Sequence, residues 1–357
     1  MENINQNFKR TEKVWRKSLY FGLVASVLTF TSCSDLSTEN PQVDFQAEQN
    51  KTLTLFQPTE FLTFNAQQLD GTINARATDA AGVDRGRFNL TLRYLTPVTE
   101  RQRAVFESAA ARWERIIIKD VPSITANGFE IPSSFNGFPP VLADGETLDD
   151  LIIEVAIAPI DGRGGILGQA GPRFYRTADF LPLSGVMFFD VADLDFLESL
   201  NLFEDVIVHE MGHVLGVGTA WNNFGRALRV GTNTPDVYFA GESANKHWNA
   251  EGGLGFLPIE NTGGQGTRNS HWRESILRNE LMTGFLNLGS NPLSRITAGS
   301  LRDLGYGVGI VGERYELQRG AEGIDASHND SDQAGINIAE MEVLLEPIGA
   351  VTFSNEN

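Results

Sequence analysis

The sequence predicts an α+β fold in which a twisted mixed β-sheet is backed by two helices and a loop-rich C-terminal subdomain closes the far side of a cleft. Three observations predict it. Segments with strand and helix periodicity follow one another as strand, helix, strands, helix, with a long loop-rich stretch and one more helix behind them. Both long helical segments carry one apolar face, so each needs a sheet or a neighbour to cover it. The 36 glycines among 357 residues favour an architecture rich in turns and loops.

Residues 1–32 hold five Lys/Arg and two Glu, and end in the apolar run LYFGLVASVLTF. A bilayer span needs ~20 apolar residues, so this shorter run reads as an export signal. FTSC, at Phe30–Cys33, resembles the lipobox of bacterial lipoproteins, with Phe30 where leucine is more usual. That resemblance implies that Cys33 becomes the lipidated first residue of an exported protein. The protein would be anchored to the bacterial cell envelope, at the outer membrane, or secreted where the lipobox is not used. Cys33 is the sole cysteine, so the chain has no internal disulfide and no cysteine-based latency. Residues 33–86 read as a polar tether with room for a pro-segment, interrupted by LTLFQPTEFLTF.

Residues 87–312 read as the main folded domain. Phe88–Leu95 alternates as a strand. Thr99 with Gln102 is a capping-box signature, and Val105, Phe106, Ala109, Trp113, Ile116 and Ile117 follow at helical spacing. Asp150–Ile160 is a β-rich apolar run that suits a central strand, and Leu183–Asp193 contains another. NLFEDVIVHEMGHVLG is the second helix, with Phe203, Val206, Ile207, Met211, Val214 and Leu215 facing inward and Gly216 as its stop. Residues 217–268 are loop-rich, Pro292–Tyr306 is a further helix, and residues 313–357 form an acidic, polar tail with one apolar stretch, MEVLLEPIGAVTF.

The net charge is −18, and the part after residue 32 is more acidic still. This argues against nucleic acid or an anionic membrane surface as the main partner. Membrane attachment is expected through the N-terminal lipid alone, and the chain is expected to be a monomer.

His209 and His213 stand one helical turn apart and project from one face, a spacing that can hold a zinc ion at ~2.0–2.1 Å. Glu210 lies beside the first of them, positioned to take a proton from water and return it to a leaving amine. A catalytic zinc needs three protein ligands and an open position. In the common H-E-x-x-H-x-x-G-x-x-H pattern the third histidine follows the glycine by three residues, where this chain has Thr219. The remaining candidates are His247 in a polar loop, His271 in RNSHWRES and His328 in the tail, or a carboxylate such as Glu242 or Glu251. His271 is favoured because Met282 follows it closely, and a soft thioether suits an apolar floor beneath the ligands.

HEMGHVLG, a long insertion, and then SHW…NELMTG together resemble the leishmanolysin-type metallopeptidases, a branch of the metzincins. The resemblance covers roughly Phe88 to Val308. It implies a metzincin-like zincin fold with zinc ligands His209, His213 and His271, general base Glu210, and Met282 in a Met-turn. It also implies a zinc-dependent endopeptidase acting on protein substrates. Eukaryotic members are rich in disulfides and this chain has none, so the analogy is with bacterial relatives and substrate preference is not carried over. The alternative is an inactive surface-binding lipoprotein whose zinc is purely structural, which a fourth protein ligand on the metal would favour. In the favoured reading the substrate lies extended beside a sheet edge near Ile166–Gln169.

DGRGGILGQA followed by FFDVAD resembles the calcium loop of matrixin-type metzincins. The matching residues are Asp161, Gly162, Gly164, Ile166, Asp190 and Asp193, which would offer carboxylate and carbonyl oxygens to Ca²⁺. Gln169 stands where matrixins have a histidine, so their structural zinc is not expected.

Overall fold

The computed structural model describes residues 52–56, 60–63, 74–77, 86–264, 266–309, 311–317 and 335–352. These residues belong to one unit, Glu48–Asn357. The export signal, Cys33 and His328 lie outside the described residues.

Strands β1 (Thr52–Leu55), β2 (Asn74–Ala77) and β3 (Leu90–Tyr94) precede helix α1 (Glu100–Ile116). The pair β4 (Ile124–Thr125) and β5 (Thr147–Leu148) leads to β6 (Leu151–Ala158), β7 (Gly168–Arg176) and β8 (Pro182–Asp190). Helices α2 (Val191–Ser199) and α3 (Phe203–Leu215) follow. A small sheet of β9 (Arg229–Val230), β10 (Tyr238–Phe239) and β11 (Leu257–Pro258) accompanies α4 (Glu242–Ala250). The chain continues through α5 (Glu274–Leu277), β12 (Phe285–Asn287), α6 (Arg295–Leu304), β13 (Gly335–Asn337), β14 (Glu342–Leu344) and β15 (Gly349–Thr352).

The main sheet runs β1-β15-β7-β8-β6-β3-β2, with β14 also on β7. Strand β6 is buried at every position, as a continuous apolar run between two covered faces should be. Strands β3, β6 and β8 are mutually parallel, and β7 runs antiparallel to β8. The mixed sheet and the α+β class match the expectation from sequence.

Helix α1 begins where the capping box put it. Thr99 accepts from the Gln102 amide at 3.1 Å, and the Gln102 side chain accepts from the Thr99 amide at 2.9 Å. Val105, Phe106, Ala109 and Trp113 are buried from this helix, at ~1.5–3 kcal/mol for each large side chain removed from water. The Trp113 indole donates to the Val208 carbonyl at 3.0 Å, so α1 braces α3 directly. Phe106 makes edge contacts with Tyr94, Phe189 and Phe203, tying both helices to the sheet.

The apolar stretch read as part of a tail lies inside the sheet. Strand β15 pairs antiparallel with β1 and parallel with β7, and β14 pairs parallel with Gly168–Ala170 of β7. The residue 312 boundary therefore does not mark the end of the folded sheet. Among the described residues no helix is long and apolar enough to cross a membrane.

Candidate metal centre

Helix α3 is buried along nearly its whole length, which fixes the direction of every side chain on it. Glu204 and Asp205 in its first turn complement the helix dipole. Gly216 ends it at φ 111°, a left-handed conformation that glycine adopts without a Cβ penalty. Thr219, in the position where the common motif has its third histidine, donates its hydroxyl to the His213 carbonyl at 2.6 Å. It caps the helix end and leaves the third place to another segment.

That segment is Ser270–Trp272. The Glu260 amide donates to the His271 carbonyl at 2.9 Å, and the Trp272 amide donates to the Met282 carbonyl at 2.9 Å. The Trp272 ring stacks on Trp221 with centroids 4.8 Å apart, and its indole donates to Thr297 at 2.8 Å. His271 is thus held on both sides and carried onto the face of α3.

The three Nε2 atoms form a nearly equilateral triangle. His209–His213 is 3.0 Å, and His271 is 3.1 Å from each of the other two. All three rings are fully buried. Each Nδ1 faces a carbonyl to which it donates: Leu281 for His209 at 2.8 Å, Val217 for His213 at 2.8 Å and Thr267 for His271 at 3.1 Å. A neutral ring that donates from Nδ1 has a bare lone pair at Nε2. Three lone pairs converging in a dry pocket repel one another unless a cation stands between them. Ligands ~2.0–2.1 Å from a tetrahedral zinc lie about 3.4 Å from each other, so the triangle is close to the size zinc requires. The donor set fits the ion.

A fourth group enters that sequence reasoning missed. The Glu342 carboxylate, carried on β14, lies 3.0 Å from the Nε2 of His271, 3.4 Å from that of His209 and 3.6 Å from that of His213. Its side chain is fully buried, and neither oxygen has a hydrogen-bond donor. This follows from the tautomers, because the rings have spent their protons on carbonyls. Burial alone would raise the Glu342 pKa, but in the metal-free chain protons taken up by the facing His271 and His213 would outweigh it and hold the carboxyl well below its usual range. Burial pushes His213 down to about 3. In the metal-free chain His271 also loses solvation, yet the facing Glu342 lifts it above its ordinary value, and a metal bound at Nε2 would displace that proton.

Glu210 is fully buried, and both its carboxylate oxygens lack a partner. Burial first, and then the negative charge of Glu342, push its pKa well above the ordinary carboxylate value. A nearby cation reverses that pressure.

Met282 lies directly beneath α3. A Cβ built on Gly212 would come within 2.7 Å of the Met282 sulfur and 3.1 Å of the Trp113 ring. Gly212 costs roughly 1 kcal/mol of helix propensity, and this close approach is what it permits. Glu280 secures the turn. It accepts from the hydroxyls of Ser294 and Thr297, both at 2.6 Å, and from the Met282 amide at 2.7 Å.

The other candidate ligands lie elsewhere. Glu242 is exposed and paired with Lys246 at 2.6 Å, and Glu251 pairs with Arg295 at 2.9 Å. His247 is on α4, outside the cluster. In the glycine-rich loop, Asp190 accepts from the amides of Ile160, Asp161, Gly162 and Ala192. Asp193 accepts from Gly164, and Asp161 accepts from Ile166. Through these amides the three carboxylates brace the loop, and Oδ2 of Asp193 is buried with no hydrogen-bond partner. The sheet edge near Ile166–Gln169 is occupied by β14, and the Leu167 amide donates to the Met341 carbonyl at 2.7 Å.

A family model described as leishmanolysin matches residues 114–309, more than half of the chain. A curated relative, leishmanolysin from Leishmania donovani, is 27% identical over 198 residues, covering 53% of this chain. The chain spans about a third of that relative's length, 32%. The matched span contains His209, Glu210, His213, His271 and Met282, and it ends before Glu342.

Proposed function

Because the chain belongs to the leishmanolysin family of peptidases, we propose that it is a zinc-dependent endopeptidase that cleaves peptide bonds in protein substrates. The observation that carries the proposal is the buried triangle of bare Nε2 atoms. His209, His213 and His271 would hold the ion, and the carbonyls of Leu281, Val217 and Thr267 fix their tautomers. When bound there, zinc polarises a scissile carbonyl and brings the pKa of water to near 7. Glu210 takes the proton of the attacking water and passes it to the leaving amine. Its lack of any protein partner leaves both oxygens available for that transfer. Met282, beneath Gly212, gives the ligands a dry and polarisable floor.

A second reading has a specific observation behind it. With Glu342 the cluster offers four side chains, the number that closes a structural zinc site. A structural site, however, has no use for a buried, unpartnered carboxylate at Glu210, which costs stability and gives none back.

Zinc content and casein hydrolysis, measured on the parent chain and on Glu342→Ala, separate the readings. We expect one zinc per chain, with hydrolysis abolished by 1,10-phenanthroline and restored by zinc in at least one of the two chains. One bound zinc without hydrolysis in either would overturn the peptidase reading.

A further inference from the structure

We propose that the C-terminal strap Met341–Ile348 holds the chain in a latent form, with Glu342 as the fourth ligand of the metal and the strap's backbone on the substrate edge of β7. The inference rests on the zinc-peptidase reading above.

Two independent contacts made by one segment carry it. The first is chemical. A carboxylate buried with no donor is expensive unless a cation faces it, and Glu342 faces three bare imidazole nitrogens at 3.0–3.6 Å. An ion at the triangle relieves all four groups at once.

The second contact is through the main chain. The Leu167 amide donates to Met341 at 2.7 Å, the Leu345 amide donates to Ala170 at 2.7 Å, and the Ile348 amide donates to Arg173 at 2.8 Å. Strand β8 takes the other edge of β7. A peptide can therefore pair with this stretch of β7 only after the strap leaves it. The strap offers the centre a side-chain carboxylate in place of a main-chain amide, so it blocks the site without presenting a scissile bond.

The strap is also separable from the machinery it covers. His209, Glu210, His213, His271 and Met282 all lie within the family-matched residues, and the strap lies outside them. Its continuation, β15, is pinned between β1 and β7. Tethering of this kind gives a blocking group an effective concentration of the order of mM.

The test uses the full chain loaded with Co²⁺, comparing the parent with Glu342→Gln, Glu342→Ala and Leu345→Pro. Leu345→Pro deletes the amide that donates to Ala170 and leaves the metal ligands intact, while Glu342→Gln keeps the side-chain volume. In the parent, the visible absorption of Co²⁺ should be indifferent to acetohydroxamate. In the Glu342 variants the absorption should change and acetohydroxamate should bind. Zinc-loaded Glu342→Ala should hydrolyse an unstructured peptide at least ~10-fold faster than the parent, and Leu345→Pro should also be faster.

Identical absorption and hydroxamate binding in all four chains would overturn the proposal. If the parent is then fully active, the peptidase reading survives alone. Spectra that change while no chain cleaves peptide would make the centre structural, and both readings would fall.

Discussion

Replacing Glu210 with glutamine is expected to leave the zinc in place and lower peptide turnover by ~10²–10⁴-fold, the usual contribution of a positioned acid–base group. Glutamine keeps the shape of the side chain but has no basic oxygen to accept a proton. The loss should appear in kcat and kcat/KM alike, because the proton is in flight only in the transition state. The comparison belongs in the Glu342→Ala background, where the metal's fourth position is free. A second consequence follows from burial. Glu210 is fully buried with no partner for either oxygen, so the neutral variant should unfold at higher temperature than its parent when both lack metal. Turnover within a few-fold of the parent would remove Glu210 from the proton-transfer role.

His271→Ala should weaken zinc binding by more than ~100-fold, beyond the ~10–100-fold typical of losing a group that merely orients a ligand. Removing this ring leaves two nitrogens 3.0 Å apart on a single helix and the Glu342 carboxylate opposite them, and the ion loses its third imidazole. Glu242→Ala should change nothing, because that carboxylate is exposed and paired with Lys246 on its own helix. Titration against a competing chelator reads both variants. Equal zinc affinity in His271→Ala and the parent would mean that the third ligand lies elsewhere.

The legible parts of the molecule were those written locally. Thr99 and Gln102 announce the start of α1 because a capping box needs only four consecutive residues. His209, Glu210 and His213 are readable for the same reason, as one turn of a buried helix fixes their mutual geometry. His271 was reachable only through chemistry, by asking which distant imidazole was followed by a methionine. Its actual support, the hydrogen bond from the Glu260 amide to its carbonyl and that from the neighbouring Trp272 amide to Met282, depends on long-range pairing that spacing does not reveal.

Glu342 was not legible at all. Within MEVLLEPIGAVTF it is one of two acids in an otherwise apolar run, and only the register of β14 against β7 brings it to the metal centre. The aspartates of the glycine-rich loop are legible as residue types only. Asp190 and Asp193 sit at spacings that suit a cation; both oxygens of Asp190 and one of Asp193 accept from amides, while Oδ2 of Asp193 is buried with no partner. Residue types alone do not distinguish an oxygen that binds an ion from one that caps a backbone amide.

The central claim is that three imidazoles from two distant stretches hold one ion. Anomalous diffraction at the zinc absorption edge, from crystals of the zinc-loaded chain, tests it most directly. A single strong peak is expected ~2.0–2.1 Å from the Nε2 atoms of His209, His213 and His271. A peak remote from that triangle, or none there in a chain that binds zinc, would contradict it.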